Sequence, residues 1–205
     1  MSNRYFLAFS LLLTTSLSWA FTPNFDTGFS CYKKKDYACA LKHWEPLANQ
    51  GDSDAQFNIG VMYANGQGVA KDDEKAVYWY RKAAEQGYVN AQYNLGVMYY
   101  NGYGIAKNTS KAFYWESIAA AQGHENGKTN FSISWKNWKN FYYSTKSANI
   151  RKDAGNDYPK VASLSKGEKV AVIDTKGNWY QIITEHYKNG WVYAPLLSSN
   201  APSTN

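Results

Sequence analysis

The two cysteines are the residues of this chain whose chemistry depends most on their spacing. Cys31 and Cys39 are separated by seven residues, which is not the Cys-x-x-Cys spacing of a redox-active pair. In an oxidising compartment an even number of cysteines indicates a disulfide, whereas in a reducing one the same residues would be free, buried thiols. From the residues alone, both interpretations stay open.

No other set of residues matches a known catalytic or metal-binding pattern. The histidines His43, His124 and His186 lack the spacing of a zinc-binding helix motif. The chain has no Gly-x-Ser-x-Gly nucleophile elbow and no Cys–His pair of a cell-wall peptidase. We therefore predict no catalytic residue, no metal and no cofactor. A carboxylate pair between two of the repeats described below stays open, because four glutamates lie on predicted helices: Glu45, Glu74, Glu85 and Glu116.

The first residues and the charge of the chain indicate where it acts. Arg4 precedes an apolar stretch that ends in Ser18-Trp19-Ala20, which is typical of a secretory signal cleaved after Ala20. We predict residues 1–20 as this signal, and a periplasmic or secreted protein with no stable membrane span after cleavage. An uncleaved anchor is the weaker alternative, because the apolar run is short for a bilayer. The basic residues behind the net charge of +6 are scattered, which argues against nucleic-acid binding.

The chain repeats itself with a constant offset of 36 residues. Residues 54–63 (DAQFNIGVMY) match residues 90–99 (NAQYNLGVMY) almost letter for letter. A fixed period in this range predicts a stacked array of helix pairs, each with a helix A and a helix B. Predicted N-caps follow the period in two series: Asp36, Asp72 and Asn108 for the B helices, and Asp54, Asn90 and Asn126 for the A helices. Glycines predicted at left-handed helix ends also follow it: Gly51, Gly87 and Gly123.

The pattern A-x-[YF]-N-[LI]-G-V-M-Y-x-N-G-x-G-[VI], followed by K-A-x-x-W, resembles the Sel1-like repeat, a relative of the tetratricopeptide repeat. The resemblance covers roughly residues 25–138 and implies a right-handed α-solenoid that serves as a protein-interaction scaffold. We expect a solenoid over residues 21–143, with repeats at about 54–89 and 90–125 and half-repeats at each end. Cysteine-rich members bridge cysteines across the same seven-residue gap, which implies a Cys31–Cys39 disulfide. Some of these members are linked to weak penicillin binding or hydrolysis.

The end of the solenoid and its exposed face can also be predicted. Trp138 stands where Gly66 and Gly102 stood, so the repeat stops there. The last A helix has the polar character that is expected of a terminal cap. A helices normally line the concave wall, where exposed polar positions can contact a partner. The candidates are Gln56, Asn58, Gln92, Asn94 and Asn130, although these are also repeat-consensus positions.

From about Ser147 the pattern changes to period two, with strands at 169–174 and 179–183 and a predicted hairpin turn at Asn189-Gly190. Ala148-Asn149-Ile150-Arg151, Tyr158-Pro159, Trp179-Tyr180 and Gly190-Trp191-Val192 follow in an order that resembles the bacterial Src-homology-3 domain. We expect a small all-β barrel over residues 144–198 and a flexible tail over 199–205. Exposed aromatic rings suit an extended peptide or a glycan. The candidate groove contains Tyr158, Trp179, Trp191 and Tyr193.

These observations predict an α+β multidomain protein, with an α-solenoid followed by the barrel. The leading interpretation is an exported, non-enzymatic scaffold of the bacterial cell envelope. Its solenoid would bind a protein partner, and its barrel would bind cell-wall peptide (peptidoglycan) or an envelope protein. One alternative is a secreted effector or a periplasmic immunity protein. The other is a weak β-lactam- or peptidoglycan-modifying enzyme, which the resemblance to cysteine-rich members suggests.

Overall fold

The computed structural model describes residues 21–202, so the predicted signal peptide and residues 203–205 of the predicted tail lie outside the described residues. Seven helices come first: α1 (Phe25–Lys33), α2 (Tyr37–Asn49), α3 (Ser53–Asn65), α4 (Asp73–Glu85), α5 (Val89–Asn101), α6 (Thr109–Ala121) and α7 (Glu125–Asn137). Neighbouring helices pack in sequence order, so each contacts the one before and the one after it. None of these helices combines the length and apolar character needed to cross a membrane.

The predicted starts of the B helices α2, α4 and α6 are confirmed. Asp36, Asp72 and Asn108 each accept a hydrogen bond from the backbone N–H three residues ahead. The predicted starts of the A helices α3, α5 and α7 are wrong by two residues. These helices begin after another series with the 36-residue period: Asp52, Tyr88 and His124. Tyr88 makes no side-chain cap, whereas His124 Nδ1 accepts from Gly127 N at 3.0 Å.

The loop from helix A to helix B turns back because glycine allows a left-handed backbone. Gly66 and Gly102 end α3 and α5 with φ of 68° and 78°. Glycine adopts these left-handed angles without strain because it has no Cβ. Trp138 ends α7 with φ of −69° and ψ of 138°, which is extended. The chain therefore leaves the solenoid at Trp138 instead of forming another B helix, as the sequence predicts.

The described residues after α7 contain one antiparallel sheet with the order β3-β2-β6-β5-β4-β1-β7. Its strands are β1 (Phe141–Ser144), β2 (Ala148–Arg151), β3 (Lys160–Leu164), β4 (Lys169–Lys176), β5 (Trp179–Thr184), β6 (Asn189–Tyr193) and β7 (Leu197–Ser198). The sheet begins before the predicted boundary at residue 144, because Phe141 already pairs with Ala171 of β4. Bulges in β2 and β4 bend the sheet around its own apolar core, which includes Ile150, Val170 and Ile182.

The predicted hairpin turn at Asn189-Gly190 is wrong, because both residues lie in β6. A Cβ on Gly190 would stand 2.6 Å from the carbonyl oxygen of Arg151. The glycine is therefore required by the close approach of β2 and not by a turn. The chain instead turns at Glu185–Tyr187, where Tyr187 has a positive φ of 61°.

Two loop glycines separate the effect of a left-handed backbone from the effect of close packing. In Gly66→Ala the new Cβ would find its nearest neighbour at 3.4 Å, whereas in Gly104→Ala it would overlap the backbone of Asp73. Both have a positive φ, of 68° and 61°. We expect Gly66→Ala to lower the free energy of unfolding by about 1–2 kcal/mol, and Gly104→Ala by about 2–5 kcal/mol. Urea unfolding measures both, and equal losses would contradict the packing argument.

Candidate functional site

The last helix of the solenoid packs on the sheet. Phe131 and Trp135 of α7 are 3% and 8% exposed and share one apolar cluster with Ala171 and Ile183, which are fully buried. Phe113 of α6 joins this cluster, with its ring centroid 5.1 Å from that of Phe131. The sheet therefore covers the apolar side of α7, the helix that the sequence predicts as the terminal cap of the solenoid. Helix packing on the sheet fixes the two domains against each other.

A cleft lies beside this junction, with one wall from each domain. We call it the interdomain cleft, and its volume is about 460 Å³. Helices α4 and α6 with their neighbours form one wall, and β4 and β5 form the other. The lining residues are Arg81, Glu85, Tyr99, Asn108, Ser110, Lys111, Tyr114, Trp115, Ile173, Asp174 and Gln181. The cleft thus needs both domains, and neither domain contains it alone.

The cleft carries both signs of charge around an aromatic centre. Arg81 Nη2 donates to the hydroxyl of Tyr99 at 3.1 Å, and Lys111 Nζ lies 5.5 Å from the centroid of the same ring. Glu85 and Asp174 are exposed carboxylates of the opposite walls. A surface with paired charges and aromatic rings is suited to polar recognition of a peptide chain.

Two residues of the predicted solenoid face are not on the surface. Gln56 and Gln92 are 2% and 3% exposed. Each donates from Nε2 to a backbone carbonyl of the preceding B helix, Ala48 at 2.9 Å and Ala84 at 3.1 Å. Each also accepts from a glutamine 30 residues ahead, Gln86 to Gln56 at 2.7 Å and Gln122 to Gln92 at 2.6 Å. These glutamines join consecutive repeats because buried amides must find partners, so they cannot contact a ligand.

The three predicted asparagines are half-buried and have different surroundings. Asn58 Nδ2 donates to the carbonyl of Asp54 at 2.8 Å. Asn94 lies near the hydroxyl of Tyr80, and burial raises the pKa of Tyr80 to about 12. Asn130 lines a separate cavity between α5 and α7. The five predicted residues therefore do not form one continuous binding surface.

Only two of the four residues predicted for the barrel groove line the same cavity. Trp179 and Tyr193 are cross-strand partners with ring centroids 5.7 Å apart, and they line a cavity of about 170 Å³ with Arg151. Tyr158 and Trp191 do not line this cavity. Both are nevertheless close to Arg151, since its Nη1 donates to the Tyr158 carbonyl at 2.8 Å and its backbone pairs with Trp191.

The cysteines and two of the histidines make contacts that stabilise the fold. Cys31 and Cys39 form a disulfide that joins the end of α1 to the first turn of α2. His124 caps α7, and His43 Nδ1 accepts from the backbone N–H of Asn24 at 3.1 Å. Glu85 lines the interdomain cleft, whereas Glu116 is buried beside a different cavity, so the two do not share a site.

One strand of the sheet shows in its sequence that it contacts the solenoid, although an alternating strand pattern does not predict this contact. In β4 the run Val170-Ala171-Val172-Ile173 is apolar without alternation. A continuous apolar run is typical of a strand that is buried on both faces. Val170 and Val172 face the core of the sheet, whereas Ala171 and Ile173 face the solenoid.

A repeat solenoid joined to a small SH3-like sheet defines a class of modular interaction proteins. The sequence profile of the Sel1 repeat matches residues 24–52, 53–88 and 89–124, and that of the bacterial SH3 domain (SH3_3) matches residues 146–198. The chain is therefore a Sel1 repeat protein with a C-terminal bacterial SH3 domain. The predicted first half-repeat is a complete repeat that is shorter than the others, because only residues 34–36 join α1 to α2.

Solved structures with the same repeat support this assignment. A Sel1 repeat protein from Oxalobacter formigenes is 42% identical, with a TM-score of 0.52, over 54% of this chain and 45% of that one. A protective antigen of uropathogenic Escherichia coli with an SLR fold is 32% identical, with a TM-score of 0.52, over 56% of this chain and 25% of that one. Mouse DAP3-binding cell death enhancer 1 is 40% identical over 61 residues, 30% of this chain and 12% of its own length. The chain thus spans less than half the length of these relatives.

These matches suggest a protein-interaction scaffold. Sel1 repeat proteins are typically non-enzymatic scaffolds that mediate protein–protein interaction. The bacterial SH3 domain and the Cys31–Cys39 disulfide fit a protein that acts outside the cytoplasm.

Two adjacent isoleucines test the division between the domain core and the junction. Ile182 and Ile183 are both fully buried in β5, but Ile182 packs inside the sheet and Ile183 packs against the solenoid. Each change to Ala costs about 2–5 kcal/mol of local packing. By hydrogen exchange, we expect Ile183→Ala to increase exchange mainly in α7, and Ile182→Ala mainly in β4 to β6. The same exchange pattern in both variants would contradict a separate docking contact.

Proposed function

We propose that this protein is an exported, non-enzymatic scaffold of the bacterial cell envelope that binds a partner protein in the interdomain cleft. The observation that carries the proposal is the composition of the cleft walls. Arg81 and Lys111 come from the solenoid, and Asp174 and Gln181 come from the SH3 domain. A partner held there would contact both domains at once.

The packed junction supports this proposal energetically. Because Phe131, Trp135 and Ile183 are buried together, the cleft walls are held in position before a partner arrives. A preformed site loses less conformational entropy on binding than one that must be ordered first. The partner therefore needs only modest contact area in the cleft for a specific interaction.

The predicted signal at residues 1–20 and the disulfide support export. Cysteines are kept reduced in most cytosolic proteins, whereas disulfides persist in the periplasm and outside the cell. The Cys31–Cys39 disulfide closes a short loop between α1 and α2 and so restricts the unfolded chain in the shortest repeat of the solenoid.

Site-specific photo-crosslinking in the producing cell tests the cleft. A photoreactive residue replaces Ser110, which lines the cleft, or Ser132, an exposed serine of α7 that lines none of the cavities described above. We expect a discrete protein adduct from position 110 that Lys111→Glu abolishes, because the substitution reverses a cleft charge. Matching adducts from both positions, or no adduct at position 110, would overturn the assignment of the cleft.

A second candidate function follows from the exposed aromatic pair of the SH3 domain. Trp179 and Tyr193 stand with Arg151 around a small cavity, an arrangement suited to the peptide or glycan of a cell wall. Trp179 and Gln181 lie on the same face of β5, since side chains alternate along a strand. The aromatic pair is therefore on the sheet face that also contributes to the cleft.

Co-sedimentation with purified peptidoglycan tests this candidate in the intact protein. We expect the unmodified protein to pellet and Trp179→Ala to stay in solution, because the indole ring supplies most of the apolar contact. Tyr78→Ala is the matched control, since Tyr78 is 52% exposed on the solenoid. If neither the parent nor the control pellets, the SH3 domain does not anchor the protein to the wall.

A further inference from the structure

One position of the repeat changes its chemistry along the solenoid. The central B-helix residues Trp44, Tyr80 and Glu116 are 36 residues apart and only 0%, 4% and 2% exposed. Eighteen residues further on, the next A helix holds Met62, Met98 and Ser134. Trp44 and Met62 share one apolar cluster, and Tyr80 and Met98 share another. In the third pair, Ser134 Oγ donates to Glu116 Oε2 at 2.7 Å.

The change from a ring to a carboxylate also leaves space. A Cβ on Gly28 would lie 2.5 Å from Trp44 Nε1, and one on Gly60 would lie 2.7 Å from Tyr80 Cδ1. The rings in these repeats thus lie directly on the glycine of the paired A helix. A Cβ on Gly96 would lie 3.5 Å from Glu116 Cγ, which is an ordinary contact. Glu116 therefore does not fill the space that an aromatic ring occupies in the other repeats.

A cavity of about 300 Å³ lies above Glu116, and we call it the Glu116 pocket. It is lined by Tyr93, Val97, Tyr100, Asn101, Glu116, Asn130, Ile133 and Ser134. Tyr100 and Ile133 are 52% and 55% exposed, so apolar side chains surround the entrance. The volume is at the small end of ligand sites, which suits one long side chain rather than a large molecule.

The lining of the pocket combines a buried carboxyl group with no basic residue. Glu116 is the one carboxyl group among the lining residues, and no Lys or Arg is among them. Burial raises the pKa of Glu116, and the hydrogen bond from Ser134 only partly opposes this effect. A bound cation would replace the lost hydration of the carboxylate. The ring of Tyr93 can also attract a cation, and it stacks on His124 with ring centroids 4.4 Å apart. The ring of Tyr100 already has the Nζ of Lys107 5.3 Å from its centroid.

We infer that the Glu116 pocket binds the ammonium or guanidinium end of a lysine or arginine side chain of a partner protein. The aliphatic stem of such a side chain fits between Val97, Tyr100 and Ile133, while its charged end reaches Glu116. The cationic end forms a charge-assisted hydrogen bond with the buried carboxylate. The pocket shares no lining residue with the interdomain cleft, so the inference holds whether or not the cleft binds a partner.

Titration with short peptides tests the inference in the intact two-domain protein. The probes are acetylated and amidated pentapeptides with lysine, arginine or norleucine between pairs of glycines, and butylamine tests whether a free amine suffices. Binding is followed by the backbone amide NMR signals of Gly96 and Asn130. We expect the lysine and arginine peptides to shift these signals, and the norleucine peptide to bind at least about tenfold more weakly.

Three substitutions separate the role of the charge from that of the fold. Glu116→Gln keeps the size and an acceptor for Ser134, so we expect a stable protein with at least about tenfold weaker binding of the lysine peptide. Glu85→Gln removes a carboxylate of the interdomain cleft and should leave this binding unchanged. Glu116→Tyr restores the residue type of Tyr80 and should abolish binding by filling the pocket.

The outcomes are distinct. Loss of binding in Glu116→Gln and Glu116→Tyr, with full binding in Glu85→Gln, supports the inference. Equal binding of the norleucine and lysine peptides, unchanged binding in Glu116→Gln, or no shift with any basic probe overturns it. Binding of butylamine would support the inference, because this amine has the aliphatic stem and the ammonium group of a lysine side chain.

Discussion

The contact between α7 and the sheet is the interaction on which the arrangement of this molecule depends. In a stacked array each helix pair buries its apolar side only against its neighbours, so the last unit needs a cover. Here α7 is an A helix without a B helix, and β4 and β5 take the place of the missing partner. Phe131 and Trp135 meet Ala171 and Ile183 where another repeat would otherwise pack. The SH3 domain is thus both a module of its own and the end cap of the solenoid.

This cap determines where the candidate binding surfaces lie. The sheet brings Ile173 and Gln181 opposite Arg81 and Lys111, which creates the interdomain cleft. On the other side of the junction, α7 closes one wall of the Glu116 pocket. The buried glutamines Gln56 and Gln92 keep consecutive repeats in fixed register. Both candidate sites therefore rest on a framework whose hydrogen bonds and apolar contacts are made within the protein itself.

The repeat period made much of the fold predictable, because the residues that recur with it start and end helices through contacts with their near neighbours in sequence. The caps Asp72 and Asn108 and the left-handed glycines Gly66 and Gly102 act within a few residues of their own position. The extended backbone at Trp138 could also be predicted, since the glycine of the pattern is missing there. The exposure of polar positions could not be predicted in this way. Gln56 and Asn58 are equally polar in sequence, but only the packing of the next repeat buries one of them.

The cleft was not predictable from the period for a related reason. Neither the repeat nor the strand alternation specifies which surfaces of two different domains meet. The apolar run of β4 indicates a second buried face without naming what covers it. A comparison of equivalent positions among the repeats is more informative about the pocket. Glu116 stands where the other repeats have the aromatic residues Trp44 and Tyr80, and all three side chains are buried. In a repeat protein, the equivalent positions of the other repeats therefore show which residues are unusual.

The shared core also imposes an order on biosynthesis. The ribosome produces α7 before β4 and β5, and residues 138–168 separate them in the chain. Until the later strands emerge and fold, Phe131 and Trp135 present aromatic surface to water on an otherwise complete solenoid. Such transient surface is the kind that chaperones recognise and that promotes aggregation. The solenoid is therefore protected from self-association only after β4 and β5 have folded against α7.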